Sequence, residues 1–364
     1  RFYDYVWGAD RKHVSLWRRA NKNIMLSYYI PYRRDPRLSG SGDNLAWWLA
    51  NHPDWVVYNR TRGVAYVKSC HTAHKNCDVP LDISNPAVVA WQQQFVRLAA
   101  AHGYDAIACD NYQPTANCRG CGVYRGNKWV QLYTDTEHDP KHTADAITWL
   151  RNFSEAAHRV KSWAGRPMQV IPNVGGILPK EAWSLPDGVV SEEGFTEWGR
   201  KRAGEQEFVA ITEYAQQIQA AGTAFYVINK WGNSDKATGL SRSTRQWCVA
   251  TYLMAKQQAS GVFVSTSQGY GKLMPDYPEL LVKVGHPLGA MAKHSGEAAE
   301  QRGVQLGVKL RPWAGEARGE DDGHPDPGLG LRLRLHQRAA GVAGGGEDLS
   351  VYDRIRSCRE IKIH

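Results

Sequence analysis

Carboxylate side chains follow two separate apolar segments of the sequence. Asp110 comes directly after residues 105–109, and Glu192 and Glu193 come directly after residues 188–191. Two carboxyl groups that flank a bound molecule can divide the work of bond cleavage. One donates a proton to the leaving oxygen, while the other attacks as a nucleophile or activates water as a base. This chemistry requires a fold that brings both segments to one site.

The pattern that surrounds these carboxylates predicts such a fold. Apolar strands alternate with amphipathic helices to about residue 270, which is typical of parallel α/β sheets. We predict strands at residues 2–7, 24–30, 55–58, 105–109, 168–171, 188–191, 224–228 and 261–265, and helices at 12–20, 86–102, 144–163, 208–221 and 244–258. Eight strands is the number that a closed (β/α)8 TIM barrel needs. A doubly wound open sheet is the alternative, but it would place a Gly-rich phosphate turn where the sequence has Gly8-Ala9-Asp10.

Asp110 is the strongest candidate for a catalytic group. Alternation along the strand directs Ala106, Ala108 and Asp110 toward the barrel axis, at the carboxyl end where the active sites of such barrels lie. A carboxylate that ends a buried strand is costly unless it is solvated, paired or used. The structural alternatives for Asp110 are a helix N-cap and a salt bridge within the barrel.

The two glutamates that follow the sixth predicted strand are the second candidate. Adjacent side chains of a strand point in opposite directions, so we expect only one of the two to enter the barrel. If Ser191 faces inward, Glu193 does too, and we therefore favour Glu193 over Glu192. A solvated acidic loop is the alternative.

The predicted site matches the needs of glycosidic bond hydrolysis. Asp110 would act as the nucleophile, or as the base of an inverting enzyme, and Glu193 or Glu192 as the general acid. We expect neither a metal nor another cofactor at this site. The polar and aromatic residues expected to bind the saccharide are Asp4, Tyr28, Asn111, Asn173, Asn229, Lys230, Trp231 and Gln268.

Composition narrows the classes of partner. The net charge is +9, but the basic residues are scattered and form none of the Lys/Arg runs typical of nucleic-acid binding. No apolar run reaches the length of a membrane span. We therefore expect an oligosaccharide or polysaccharide partner, no nucleic acid and no membrane insertion.

Two close cysteine pairs, Cys70/Cys77 and Cys118/Cys121, lie in predicted loops. Such pairs favour disulfide bonds and an oxidising, extracytoplasmic or secreted location. The alternative is a metal site formed by Cys70, His71, His74 and Cys77, although zinc spacings normally come as two matched pairs.

The sequence changes character near its end. Residues 297–349 contain no Ser, Thr, Asn, Tyr, Phe, Ile, Met or Cys. We predict a catalytic barrel over residues 1–285 and an irregular C-terminal segment over 286–364. For the biased stretch we consider a disordered tail and a frameshifted translation of a GC-rich gene, and we favour the second.

Four short segments resemble the hypothetical glycosyl hydrolase barrels related to α-galactosidase-like enzymes. They are residues 104–111 (YDAIACDN), 171–176 (IPNVGG), 188–195 (GVVSEEGF) and 285–289 (GHPLG), within a resemblance that spans residues 2–290. The resemblance implies a nucleophile at the end of strand four and an acid/base at the end of strand six, at Asp110 and at Glu192 or Glu193. Similar proteins often carry a small β-domain after the barrel, whereas this C-terminal segment does not show a strand pattern.

Two other functions remain open at this stage. A non-catalytic carbohydrate-binding barrel would keep the aromatic and amide residues but could lose either carboxylate. A metal-dependent polysaccharide deacetylase or hydrolase could recruit His71, His74, His138 and His142, although these residues form no HxH or HExxH motif.

Overall fold

The computed structural model describes most of the chain up to residue 281 and short strands beyond it. The described residues are 3–35, 44–65, 78–115, 119–136, 138–196, 199, 202–231, 240–257, 260–266, 277–281, 286–287, 292–295, 304–307, 310–311 and 360–363.

Strands and helices alternate through the first 266 residues. The strands are β1 (Tyr3–Trp7), β2 (Met25–Pro31), β3 (Arg34–Asp35), β4 (Val79–Pro80), β5 (Ala106–Tyr112), β6 (Gly122–Arg125), β7 (Lys128–Gln131), β8 (Gln169–Val174), β9 (Gly188–Ser191), β10 (Ala224–Trp231), β11 (Ser260–Thr266), β12 (His286–Pro287), β13 (Ala292–Ser295), β14 (Val304–Gly307), β15 (Leu310–Arg311) and β16 (Glu360–Ile363). The helices are α1 (Val14–Ala20), α2 (Asn44–Asn51), α3 (Pro86–Ala101), α4 (Pro140–His158), α5 (Glu205–Ala220) and α6 (Arg242–Ala255).

A parallel sheet forms the centre of the molecule. Its strand order is β11-β10-β9-β8-β5-β2-β1-β16, and every neighbouring pair is parallel. β16 contacts β11 as well as β1, so the two edges of the sheet approach each other. Helices α3 to α6 pack against the outside of strands β5, β8, β10 and β11. The prediction of an α/β barrel is confirmed.

The predicted third strand is wrong. Val56 and Tyr58 form isolated antiparallel bridges with Leu81, Val64 and Gly122, outside the parallel sheet. Strand β2 pairs directly with β5 from Ser27↔Ala106 to Pro31↔Asp110, so no edge is free for a strand between them. Val56 and Tyr58 pack instead in a second apolar cluster beside the barrel. Its buried members are Trp48, Val56, Tyr58, Val79, Leu81 and Val88.

That second cluster holds the short β3–β4 ribbon against the barrel. Buried Asp35 of β3 accepts a hydrogen bond of 2.6 Å from the Trp48 indole. The ribbon pairs Arg34 with Pro80 and Asp35 with Val79. Arg34 is thereby fixed at the carboxyl end of β2, at the rim of the barrel.

Aromatic side chains fill the barrel interior below this rim. The Tyr5 and Tyr226 rings lie 5.0 Å apart although their strands are distant in the sheet order. The Tyr5 hydroxyl donates to Ser27 Oγ, and the Trp7 indole donates to the Ile171 carbonyl. The interior is therefore packed rather than open, and reacting groups can meet a substrate only at the ends of the strands.

Parts of the C-terminal segment form short strands. β12 pairs with β15, and β13 pairs with β14, both antiparallel. The boundary predicted at residue 285 and the hypothesis of a frameshift both remain predictions.

A buried ion pair closes the amino-terminal end of the barrel. Asp105, just before β5, contacts the Arg18 guanidinium at 2.5 Å, and both side chains are almost fully buried. The same carboxylate accepts hydrogen bonds from the backbone N–H groups of Leu26 and Ala164. Three segments of the chain therefore meet at one carboxylate.

We predict that Asp105→Ala lowers the free energy of unfolding by about 3–5 kcal/mol, because it leaves the Arg18 charge buried without its partner. Urea denaturation measures this change. Asp135→Ala is the matched control, since Asp135 pairs with Arg60 at an exposed position, and it should cost less than about 1 kcal/mol. Equal losses in the two variants would contradict the assignment.

Candidate active site

Asp110 lies at the carboxyl end of β5 and faces the barrel axis. Its Oδ2 accepts hydrogen bonds of 2.7 Å from the Tyr29 hydroxyl and from the Asn111 side-chain amide. Its Oδ1 accepts a hydrogen bond of 3.0 Å from the Asn173 amide. Asp110 is neither a helix N-cap nor part of a close salt bridge, since the Arg34 guanidinium is 3.9 Å away. Its closest neighbours are neutral hydrogen-bond donors.

Asn111 shows how the chain leaves the strand beside this carboxylate. Its φ angle of 56° lies in the left-handed region, which asparagine tolerates better than most residues. The pairing of β5 with β8 shifts register between Cys109 and Tyr112, around this residue. The turn brings the Asn111 amide back onto Asp110.

A single asparagine links the two candidate carboxylates. The Asn173 Nδ2 donates to Asp110 Oδ1 at 3.0 Å and to Glu192 Oε2 at 2.7 Å. Because one nitrogen bonds both groups, the two carboxylate oxygens lie less than about 6 Å apart. Asn173 and Glu192 are both buried.

Glu192 also contacts a buried lysine. The Lys230 ammonium lies 3.3 Å from Glu192 Oε1, and Lys230 has no exposed surface. Burial lowers the pKa of Lys230, while the charge and hydrogen bond of Glu192 and the charge of Glu193 oppose that shift. Glu192 thus lies between a cation on one side and the Asp110 carboxylate on the other.

The preference for Glu193 assumes that side chains continue to alternate beyond Ser191, where the strand ends. Strand β9 stops at Ser191, and the chain turns at Gly194, whose φ is 55°. A Cβ at Gly194 would lie 2.3 Å from the Ile228 carbonyl, so the turn packs tightly against β10. Glu192 is the glutamate that bonds to Asn173, and Glu193 is half-buried beside it. Geometry therefore favours Glu192 as the partner of Asp110.

Tyr29 and Arg34 belong to the site although the sequence analysis did not select them. The pKa of the Tyr29 phenol is raised, first by burial and then by the neighbouring Asp110 charge. Arg34 pairs with Asp78 at 2.9 Å while it faces Asp110. Tyr29 shares an inward face with Ser27, a period-2 signal that was available in the sequence. Arg34 depends on the β3–β4 ribbon, which no period-2 pattern predicts.

Four residues predicted to bind the substrate point elsewhere. The Tyr28 ring packs against Tyr104 at 5.3 Å, because Tyr28 alternates with Tyr29 and faces outward. Asn229 accepts from the Phe195 N–H and donates to the Cys248 carbonyl of α6.

Trp231 and Asp4 complete this group. The Trp231 ring lies beside Trp247 of α6 and under the Arg202 guanidinium, on the outer side of β10. Asp4 lies near the amino end of β1, opposite to the end that holds Asp110.

The remaining predictions fall on residues with little or no described environment. Gln268, Cys70, His71, His74, Cys77 and Cys118 lie outside the described residues. The disulfide predictions and the alternative metal site therefore stay predictions. Within the described part of the chain, no group of three or more His, Cys, Asp or Glu side chains is arranged to hold a metal. His138 and His142 contact the backbone carbonyls of Thr115 and Pro114. None of the helices that the structure describes has the length and apolar character needed to cross a membrane.

Comparisons with known proteins were made for sequence and fold. No family model and no curated protein matches the sequence. Among solved structures, the fold is similar to the glycoside hydrolase domain of PelA from Pseudomonas aeruginosa, at 13% identity over 72% of this chain and 85% of that chain, with a TM-score of 0.43. Aspergillus fumigatus Ega3 in complex with galactosamine aligns at 14% identity over 71% of this chain and 80% of that chain, with a TM-score of 0.42. The maltogenic α-amylase AmyB from Thermotoga neapolitana aligns at 12% identity over 72% and 52%, with a TM-score of 0.42.

We predict that Asn173→Ala lowers the free energy of unfolding by about 2 kcal/mol. The buried amide donates to Asp110 and to Glu192, so its removal takes a hydrogen-bond donor from both carboxylates at once. Urea denaturation measures the change. Asn152→Ala, at an exposed position of α4, should cost less than about 0.5 kcal/mol, and equal losses in the two variants would contradict the bridging role.

Proposed function

We propose that this protein is a glycoside hydrolase that cleaves an O-glycosidic bond with Asp110 and Glu192. The observation that carries the proposal is the Asn173 amide of β8, which bonds both carboxylates at the carboxyl ends of the two flanking strands, β5 and β9. Glycosidic cleavage requires two carboxyl groups on either side of the bond. Their position at the rim of the barrel is also where barrel enzymes carry out their chemistry. An oligosaccharide or polysaccharide is the proposed substrate.

The separation of the carboxylates favours retention of configuration. Retaining enzymes hold the two groups about 5–5.5 Å apart, whereas inverting enzymes need about 6.5–9.5 Å to accommodate a water molecule. We propose retention because one amide nitrogen holds the nearest oxygens of the two groups within about 6 Å of each other. In a retaining enzyme one carboxylate forms a covalent glycosyl intermediate and the other acts first as acid and then as base.

The neighbours of each carboxylate divide these roles. Tyr29 and Asn111 donate to the same oxygen of Asp110, and these two hydrogen bonds orient the carboxylate for attack. Glu192 contacts an ammonium group, which can exchange a proton with it. We therefore assign Asp110 as the nucleophile and Glu192 as the acid/base, with Asn173 fixing their relative position.

We predict that Asp110→Asn and Glu192→Gln each lower kcat/KM by about 10²–10⁴-fold on glycosides with poor leaving groups. A panel of oligosaccharides and aryl glycosides provides the substrates. The matched control is Glu207→Gln, at an exposed position of α5, which should keep wild-type activity. Glu193→Gln distinguishes the adjacent glutamates, because the proposal expects it to lose less activity than Glu192→Gln.

The main alternative is a carbohydrate-binding barrel without catalysis. It predicts that the wild-type protein binds saccharides but turns over none of the panel, and that Asp110→Asn binds them equally well. Isothermal calorimetry beside the activity assay separates the two functions. Turnover that survives in both carboxylate variants would instead overturn the two-carboxylate mechanism.

We further predict a covalent intermediate on Asp110. An activated 2-deoxy-2-fluoro glycoside of a sugar that the enzyme accepts should inactivate it, because the fluorine slows hydrolysis of the intermediate more than the departure of a good leaving group. Mass spectrometry of peptides should locate the added sugar on Asp110. The first-formed anomer, followed by NMR, should have the configuration of the substrate. An inverted product would contradict retention.

A further inference from the structure

Lys230 is a lysine enclosed within the barrel beside the candidate acid. Lys230 is fully buried, and its ammonium group lies 3.3 Å from Glu192 Oε1. The backbone fixes its direction, because Lys230 N donates to Thr196 Oγ1 and the residue pairs with Ser265 of β11. A buried ammonium is costly unless a charged partner compensates for it. Lys230 is therefore held where it can act on Glu192.

Among the described residues, the acidic groups around Lys230 come from the turn after β9. Glu192 and Glu193 face it from the turn after β9, and Asp110 lies behind Glu192 across the Asn173 amide. Ser265 on the adjacent β11 is uncharged, and Tyr226, four residues earlier on β10, is a phenol. Burial lowers the pKa of Lys230, while both glutamates raise it. The Lys230–Glu192 pair thus brings together a lysine that releases its proton more readily than usual and a carboxylate that can receive it.

We propose that Lys230 supplies the proton that Glu192 uses as the acid catalyst. The two side chains share one transferable proton, which Lys230 passes to Glu192 when Glu192 protonates the glycosidic oxygen. This inference rests on the proposed glycoside hydrolysis. Lys230 touches no reacting atom in this scheme and is a positioning residue that acts through Glu192.

The proton balance of the cycle closes without another reactant. In the resting pair Lys230 is an ammonium and Glu192 is a carboxylate. As the bond between the anomeric carbon and the leaving oxygen breaks, the Nζ–H proton moves to Glu192, and Glu192 protonates the leaving oxygen. Asp110 forms the new bond to the anomeric carbon. Water then attacks that carbon, Asp110 leaves, and the proton of the water passes through Glu192 back to the Lys230 amine.

Arginine provides a sharp test of this scheme. A guanidinium keeps the positive charge beside Glu192 but does not give up its proton in proteins. If the ion pair is only structural, Lys230→Arg should retain activity. If Lys230 supplies the proton, Lys230→Arg should lose activity. Lys230→Met removes both charge and proton, which leaves Glu192 to titrate alone.

The first experiment measures the coupling without any turnover. The ¹³Cε signal of Lys230, assigned by its absence from Lys230→Arg, is followed through a pH titration in the wild-type protein and in Glu192→Gln. We expect Lys230 to titrate below the ordinary lysine value of about 10.4, and lower still in Glu192→Gln, which lacks the carboxylate charge. An ordinary titration in both proteins would overturn the proposal.

The second experiment compares glycosides with poor and with activated leaving groups. We expect Lys230→Arg to lower kcat/KM by about 10²–10⁴-fold on the former, and by less than about tenfold on the latter, which need no acid. In Lys230→Met, the alkaline limb of the pH profile should move to lower pH, because the carboxyl group alone then holds the proton. Lys141→Arg, an exposed lysine paired with Asp145, is the matched control. If Lys230→Arg has wild-type kinetics on poor leaving groups, the proposal for Lys230 is overturned. If the wild-type protein turns over none of the glycosides, the proposed function is refuted, and the NMR coupling stands as a separate result.

Discussion

Repulsion between two closely spaced carboxylates is the constraint on which the site depends. At an effective dielectric constant of about 20, two unit charges about 5 Å apart repel each other by about 3 kcal/mol. Asn173 offsets part of this by donating to Asp110 and Glu192 from one nitrogen. Arg34 near Asp110 and Lys230 beside Glu192 supply a cation at each end. Removing Asn173, Arg34 or Lys230 would leave the pair less compensated, so these three side chains and the two carboxylates form one electrostatic unit.

This unit combines regular barrel strands with one irregular addition. Asp110, Asn173 and Lys230 come from β5, β8 and β10, whose parallel pairing fixes their height along the barrel. Arg34 comes from the β3–β4 ribbon, which the Trp48–Asp35 hydrogen bond and the second apolar cluster hold in place. The segment that would have formed a third barrel strand contributes to that cluster instead. The departure from the regular eightfold pattern thus positions one of the two compensating cations.

Period-2 alternation in the sequence predicted the direction of side chains within strands, but not beyond the last residue of a strand. Within β5, alternation correctly directed Asp110 inward. Beyond β9 the same rule selected Glu193, because nothing in the local pattern showed that the turn begins at Glu192. Trp231 lies at the last position of β10, where alternation with the inward Lys230 directs its ring outward, beside Trp247. Arg34 could not be predicted, since its position depends on contacts between segments far apart in the sequence.

The two cations differ in a way that matches the proposed division of roles. An arginine cannot release its proton, so Arg34 can only stabilise negative charge on Asp110, which is what a nucleophile requires before attack. A lysine shifts its pKa readily when buried, and burial lowers that of Lys230. Only the cation beside Glu192 can therefore take part in proton transfer. An exchange of the two roles would place the exchangeable proton beside the nucleophile and, beside the acid, a guanidinium that has no proton to pass to it.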